Sequence, residues 1–140
     1  MRASALRLLA GREHSRAELR HKLWSRAQSD HDVDSLLEEL ASDGLQSDER
    51  FAEQYVRQRR AKGFGPVRIT AELRERGIAE ELAMNWLDLE DSVWREAMLL
   101  VARQKFGFDP AREQREKARR ARFLEYRGFP AELIHQYLSE

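Results

Sequence analysis

The 140-residue chain contains no cysteine, which excludes disulfides, thiolate nucleophiles and zinc clusters built on sulfur, and is compatible with a reducing compartment. Long apolar runs are also missing. Nothing approaches the roughly 20 residues that a bilayer requires, and residues 1–10 lack an apolar stretch with a secretory cleavage site, so a cytoplasmic protein with no membrane partner is expected. An excess of charge is absent as well. The 25 Lys and Arg balance 25 Asp and Glu although 36% of positions are charged, which excludes a uniformly basic nucleic-acid coat. β-Branched residues are scarce, nine in all (five Val, three Ile and Thr70), against 18 Leu and 17 Ala. Strands favour the former and helices the latter, so the chain is expected to be all-α.

Helix starts are marked by local chemistry. Ser15-Arg16-Ala17-Glu18 has capping-box spacing, in which hydroxyl and carboxylate each satisfy an unpaired amide. Gly65-Pro66 and Asp109-Pro110 each place a proline at a first helical position, where its missing N–H costs nothing. Stops are marked by glycine followed by a large apolar residue, at Gly44-Leu45, Gly63-Phe64, Gly77-Ile78, Gly107-Phe108 and Gly128-Phe129. This is the pattern of a Schellman stop, with the second side chain folded back on the last turn. About nine helices follow, near 3–11, 16–27, 33–43, 48–62, 66–76, 79–87, 92–106, 110–127 and 130–138.

The sequence repeats. Gly77-Ile78-Ala79-Glu80-Glu81-Leu82 with Trp86-Leu87 matches Gly128-Phe129-Pro130-Ala131-Glu132-Leu133 with Tyr137-Leu138 at a period of 51 residues. Upstream of each copy lies a proline-started helix, and upstream of that a helix ending in Gly-Phe. The first third fits more loosely and lacks the glycine between its second and third helices. Three tandem three-helix repeats are expected, at 1–45, 46–87 and 88–140, arranged as an elongated array. Such an array offers a long surface to a long partner.

Zero net charge conceals segregation. Residues 28–49 hold eight acids (Asp30, Asp32, Asp34, Glu38, Glu39, Asp43, Asp48, Glu49) and no Lys or Arg. Residues 50–62 and 112–127 each carry a net charge of +4. Of the 25 bases 21 are Arg, whose planar fork suits carboxylate or phosphate. One reading is a solvated face with internal pairs such as Glu116 with Arg120. The other is two basic ridges at equivalent ends of two repeats that meet an anionic surface, while the acidic stretch meets a basic one or limits non-specific DNA binding.

Catalytic patterns are lacking. His14 and His21 lie seven apart and His31 sits among aspartates, but no metal-ligand spacing results, and no metal or other cofactor is expected. There is no G-x-S-x-G, and Lys62-Gly63-Phe64-Gly65 reads as a helix stop and restart rather than a phosphate cradle. An enzyme is not expected. Trp24, Trp86, Trp94, Phe51, Tyr55, Phe123 and Tyr137 fall mostly at helical spacing and read as core. Phe64 and Phe108 are the candidates for stacking on bases, though a Schellman contact accounts for both.

These residues carry a family resemblance. Ala5-Leu6-Arg7-Leu8-Leu9 followed by His14-Ser15-Arg16-Ala17-Glu18-Leu19-Arg20-His21-Lys22-Leu23 is similar to the opening of the bacterial RecX regulatory proteins. The middle is the most specific part: Asp48-Glu49-Arg50-Phe51-Ala52, Tyr55-Val56-Arg57, and Lys62-Gly63-Phe64-Gly65-Pro66 with Arg68-Ile69 and Leu73, closing at Arg76-Gly77-Ile78. Lys105-Phe106-Gly107, Lys117, Phe123-Leu124, Arg127-Gly128-Phe129 and Ile134 resemble the family's last repeat. The start, shorter than in some members, and the acidic loop 30–34 depart from the pattern.

The resemblance implies tandem three-helix repeats that lie in the groove of the RecA filament on single-stranded DNA. It also implies a regulator that restrains RecA ATPase, strand exchange and coprotease activity in recombination, DNA repair and the SOS response. A monomer is expected, reaching single-stranded DNA through the filament with at most weak direct binding. The charge argument supplies the expected contact residues: Arg57, Arg59, Arg60, Lys62 and Arg68 in the middle repeat, and Arg115, Lys117, Arg119, Arg120, Arg122 and Arg127 in the last. The alternative is a stand-alone DNA-binding protein built from three-helix units that resemble helix-turn-helix modules.

Overall fold

A computed structural model describes residues 1–26 and 29–140, and among them there are nine α-helices, one short 3-10 turn and no strand. In chain order these are α1 (Arg2–Gly11), α2 (Arg16–Leu23), the 3-10 turn (Trp24–Arg26), α3 (Asp30–Ser42), α4 (Asp48–Ala61), α5 (Pro66–Glu75), α6 (Glu80–Leu87), α7 (Asp91–Phe106), α8 (Gln114–Arg127) and α9 (Ala131–Leu138). The all-α expectation holds. Ala27, the expected end of the second helix, and Gln28, the head of the acidic stretch, lie outside the described residues.

Local chemistry places most boundaries. The capping box at Ser15 forms in both directions, and α5 starts on Pro66. Schellman bonds close four helices: Leu45 N–H to Leu40 O, Phe64 to Arg59, Ile78 to Leu73 and Phe129 to Leu124, at 2.9, 3.1, 3.0 and 3.1 Å. α3 starts at Asp30, ahead of the expected 33, because the Ser29 hydroxyl accepts the Asp32 N–H and Asp30 and Asp32 occupy the electropositive first turn.

The glycine stop at Gly107 and the proline start at Pro110 differ from expectation. Gly107 donates to Arg103 O in the ordinary i−4 manner, its ψ of −167° is extended rather than left-handed helical, and Phe108 stands 83% exposed instead of folding back. Pro110 does not open a helix. The preceding carbonyl, of Asp109, accepts a bond from Arg120 Nη1 at 2.9 Å, and α8 begins only at Gln114. A bond to a buried guanidinium outweighs the weak preference of proline for a first turn.

The chain divides into two compact units, Met1–Tyr55 with Leu73–Asn85 and Val56–Glu72 with Trp86–Glu140. The first unit buries Ala5, Leu19, Leu23, Val33, Leu36, Leu37 and Leu40 in one cluster, with Leu8 and Leu9 packed on it. Ser15 is fully buried within this unit, and besides its capping bond its hydroxyl donates to Arg76 O at 2.7 Å. His14, 2% exposed, places Nδ1 3.0 Å from Arg12 O and Nε2 3.2 Å from Lys22 Nζ, so it is held as the neutral ring with the proton on Nδ1. The acidic stretch is met from within the unit: Arg2 reaches Glu39 and Asp43, Arg16 reaches Glu38, and Arg20 reaches Asp30 and Asp34.

The second unit buries Ile69, Trp94, Met98, Ala102, Leu124, Phe129, Leu133 and Ile134. Two turns interlock here. Gly65 N–H donates to Arg127 O at 2.8 Å and Val67 N–H to Gly128 O at 2.9 Å. A Cβ on Gly65 would lie 2.5 Å from Gly128 O, and one on Gly128, at φ +95°, would lie 2.3 Å from Arg68 Cβ. Gly65-Pro66 in one repeat and Gly128-Phe129 in the other thus permit a backbone approach that a side chain at either glycine would block.

Of the aromatics expected in the core, Phe51 and Trp94 are buried, while Trp86, Tyr55, Phe123 and Tyr137 are half-buried. Trp24 is the exception at 54% exposed. It lies just past Leu23, the last buried position of α2, and carries the Arg20 guanidinium over its ring at 5.5 Å.

Candidate functional site

The eleven bases singled out by charge all fall in the second unit. The end of α4 carries Arg57, Arg59 and Arg60, the stop after it Lys62, the start of α5 Arg68, and α8 the remaining six. Their environments divide them.

Three guanidiniums surround Phe64, which the Schellman turn folds back: Arg59 at 3.9 Å, Arg68 at 4.5 Å and Arg127 at 4.9 Å from the ring centroid. Glu72 accepts both Nε and Nη2 of Arg59, at 2.9 and 2.8 Å, and Nε of Arg68 at 3.3 Å. Arg68 Nη1 also donates to Tyr126 O, and Arg127 Nη1 to Lys62 O. One carboxylate against three cations leaves this cluster positive. The ring and carbonyls position its charges rather than cancel them.

On α8, Arg120 is 6% exposed and donates to Glu116, Asp109 O and the Tyr137 hydroxyl at 3.0, 2.9 and 2.9 Å. Burial opposes its charge, and the bonds to Glu116 and Tyr137 more than offset that, so its pKa is raised. Arg119 shares the same carboxylate, at 2.8 and 2.9 Å. The bonds from Arg119 and Arg120 hold the Glu116 pKa down at about 2. The expected i,i+4 pair of Glu116 and Arg120 is therefore present, and it assigns Arg120 to the interior. Arg115 and Arg122 are exposed on the same helix, and Lys117 is half-buried.

A groove of about 790 Å³ lies beside the cluster. Its rim carries Arg57, Arg60, Lys62, Arg103, Lys105 and Arg127, and its lining includes Val93, Ala97, Leu100 and Val101 of α7. Arg103 and Lys105, which close α7, are not among the bases expected from the charge argument. Val93, Ala97 and Leu100 recur at helical spacing along α7. In the structure Val93 and Leu100 are exposed, Leu100 by 60%. Phe108, 83% exposed, has the Arg103 guanidinium over its ring at 5.3 Å.

Against known families, the chain matches the models of the first, second and third three-helix domains of RecX over residues 2–40, 47–85 and 95–138. The chain belongs to the RecX family. α1–α3, α4–α6 and α7–α9 each correspond to one RecX three-helix domain. Relatives named Regulatory protein RecX include that of Chromohalobacter salexigens, 43% identical over 138 residues and covering 99% of this chain and 90% of its own. That of Pseudomonas putida strain GB-1 is 41% identical over 139 residues, covering 99% and 89%. Among solved structures, RecX from Lactobacillus salivarius superposes with a TM-score of 0.84 at 23% identity, covering 99% of this chain and 92% of its own. A second regulatory protein RecX gives 0.78 at 21% identity, with coverage of 99% and 73%. These two likenesses concern the fold. The RecX expectation from sequence is thus met, and among the described residues no helix is long and apolar enough to cross a membrane.

Proposed function

We propose that the chain is a non-enzymatic regulator that docks on a RecA filament assembled on single-stranded DNA and lowers its ATP hydrolysis, strand exchange and coprotease output. Membership of a family whose members are named regulatory proteins supports this reading. The observation that carries it is the gathering of all eleven expected bases, with Arg103 and Lys105, into one compact unit of a chain with zero net charge. A locally positive surface on a neutral molecule suits a composite anionic target, since it orients the protein without strong binding to free nucleic acid. Arg57, Arg60, Lys62, Arg115, Arg122 and the Phe64 cluster form the docking surface, and Arg120 supports it from inside. The protein acts in the cytoplasm as a monomer.

The test is ATP hydrolysis by the cognate RecA on single-stranded DNA, titrated with this protein at sub-stoichiometric ratios, beside fluorescence anisotropy on the same DNA without RecA. Inhibition at ratios that leave free DNA unbound is expected. Inhibition only where the protein coats the DNA would instead favour stand-alone DNA binding, for which the exposed Phe108 beside Arg103 offers a stacking face.

A further inference from the structure

The groove in the second unit has a chemistry of its own. Val93, Ala97 and Leu100 follow one another at intervals of four and three residues, so they form one stripe along α7, and Val93 and Leu100 stand exposed. Bases flank this stripe from the end of α4, with Arg60 and Lys62, and from the end of α7, with Arg103 and Lys105. Among the described lining residues Glu96 is the one acid.

We propose that this groove receives an acidic amphipathic segment of a protein partner, one or two aliphatic side chains resting on Leu100 and Val93 while carboxylates meet the rim. A nucleic-acid strand fits less well. Sites for single strands combine phosphate contacts with aromatic platforms on which bases stack. The stripe here is aliphatic, and the lining aromatic, Phe123, is half-buried, with Lys105 and Arg127 over its ring and Phe106 set edge-on to it. An aliphatic stripe with charged borders matches a helix laid in a groove and read through anchors at helical spacing. Charge complementarity supplies the sign of the occupant. The assignment deepens the filament reading, on which it rests for its setting, by giving this groove to the protein component rather than to the DNA.

The experiment uses the full chain and three fluorescein-labelled probes: a short peptide with leucines at helical spacing among glutamates, the same peptide with lysines for the glutamates, and single-stranded oligothymidine. The glutamate peptide is expected to bind and the lysine peptide not. Leu100→Ser, a change at an exposed position, is expected to weaken the glutamate peptide about tenfold and to leave oligothymidine binding unchanged. A glutamate peptide that fails to bind, or binds the variant equally well, overturns the assignment. So does oligothymidine binding that Leu100→Ser weakens as much, which would give the groove to nucleic acid. The ATPase titration separates this from the reading beneath it. If the wild-type chain leaves hydrolysis unchanged, the filament reading falls. If wild type and Leu100→Ser inhibit equally, the groove assignment falls alone.

Discussion

Arg120 and His14 show how a side chain that looks reactive in sequence is consumed by the fold. Arg120 sits in a basic run, yet its guanidinium is bonded to Glu116, Asp109 O and Tyr137. Arg120→Ala strands a carbonyl and a hydroxyl and empties a buried site, and is expected to cost about 3 kcal/mol in urea unfolding. Arg122→Ala, on the exposed face, should change stability by less than about 0.5 kcal/mol. His14 has a pKa lowered from 6.5, first by burial and then by the nearby Arg12 and Lys22 charges. The unfolded chain takes up a proton there more readily than the folded one. Its contribution to stability is therefore complete above pH 6.5 and is lost as the pH falls below that value. Urea midpoints measured from pH 7.5 down to about pH 5 should decline, and His14→Gln should flatten this decline even while lowering the midpoint throughout.

Helices and their ends were the most legible part of the sequence, because caps, glycine stops and prolines act through neighbours a few residues away. Ser15 with Glu18, Pro66, and the stops at Gly44, Gly63, Gly77 and Gly128 are each marked by residues within a few positions of the boundary. The failure at Pro110 has a cause outside its nearest neighbours, the reach of Arg120 on α8 to Asp109 O. The same distinction governs the site. The positions of the bases were legible, whereas their partners were not, since Glu72 between Arg59 and Arg68 and the ring of Phe64 beneath three guanidiniums depend on how α4, α5 and α8 meet. At this scale the interlocked turns give a sharp contrast. Gly128→Ala combines a left-handed φ with a clash against Arg68 backbone and Cβ, and is expected to cost more than about 2 kcal/mol. Gly44→Ala also has a positive φ but meets nothing within 4 Å, so thermal unfolding should show only the conformational cost of about 1 kcal/mol.

For the molecule as a whole, the separation of bonded from outward-facing bases decides which substitutions report on docking. Arg59→Glu would break the Glu72 pair and perturb the fold, so it does not isolate the surface. The triple change Arg60→Glu, Lys62→Glu and Arg122→Glu is expected to lower filament affinity at least about tenfold at physiological salt and to reduce its salt dependence, with helical circular dichroism unchanged. Unaltered affinity would remove this surface from the docking site. The composition of the two units also bears on dissection of the chain. The second unit draws on Val56–Glu72 as well as Trp86–Glu140. A chain ended after residue 87 should therefore be cut by trypsin at Arg57, Arg59, Arg60 and Lys62 faster than the full chain is.

The three tryptophans are divided between the units in a way that makes the protein its own spectroscopic reporter. Trp24 belongs to the first unit and is largely solvated, whereas Trp86 and Trp94 belong to the second, where Trp94 is buried with its indole N–H on Leu87 O and the Trp86 indole nitrogen is shielded from solvent. Replacing Trp24 by Phe at its exposed position leaves a chain whose indole emission arises from the second unit alone. The shift of that emission with denaturant then follows the opening of the basic unit without any attached dye, while circular dichroism records the helices of both.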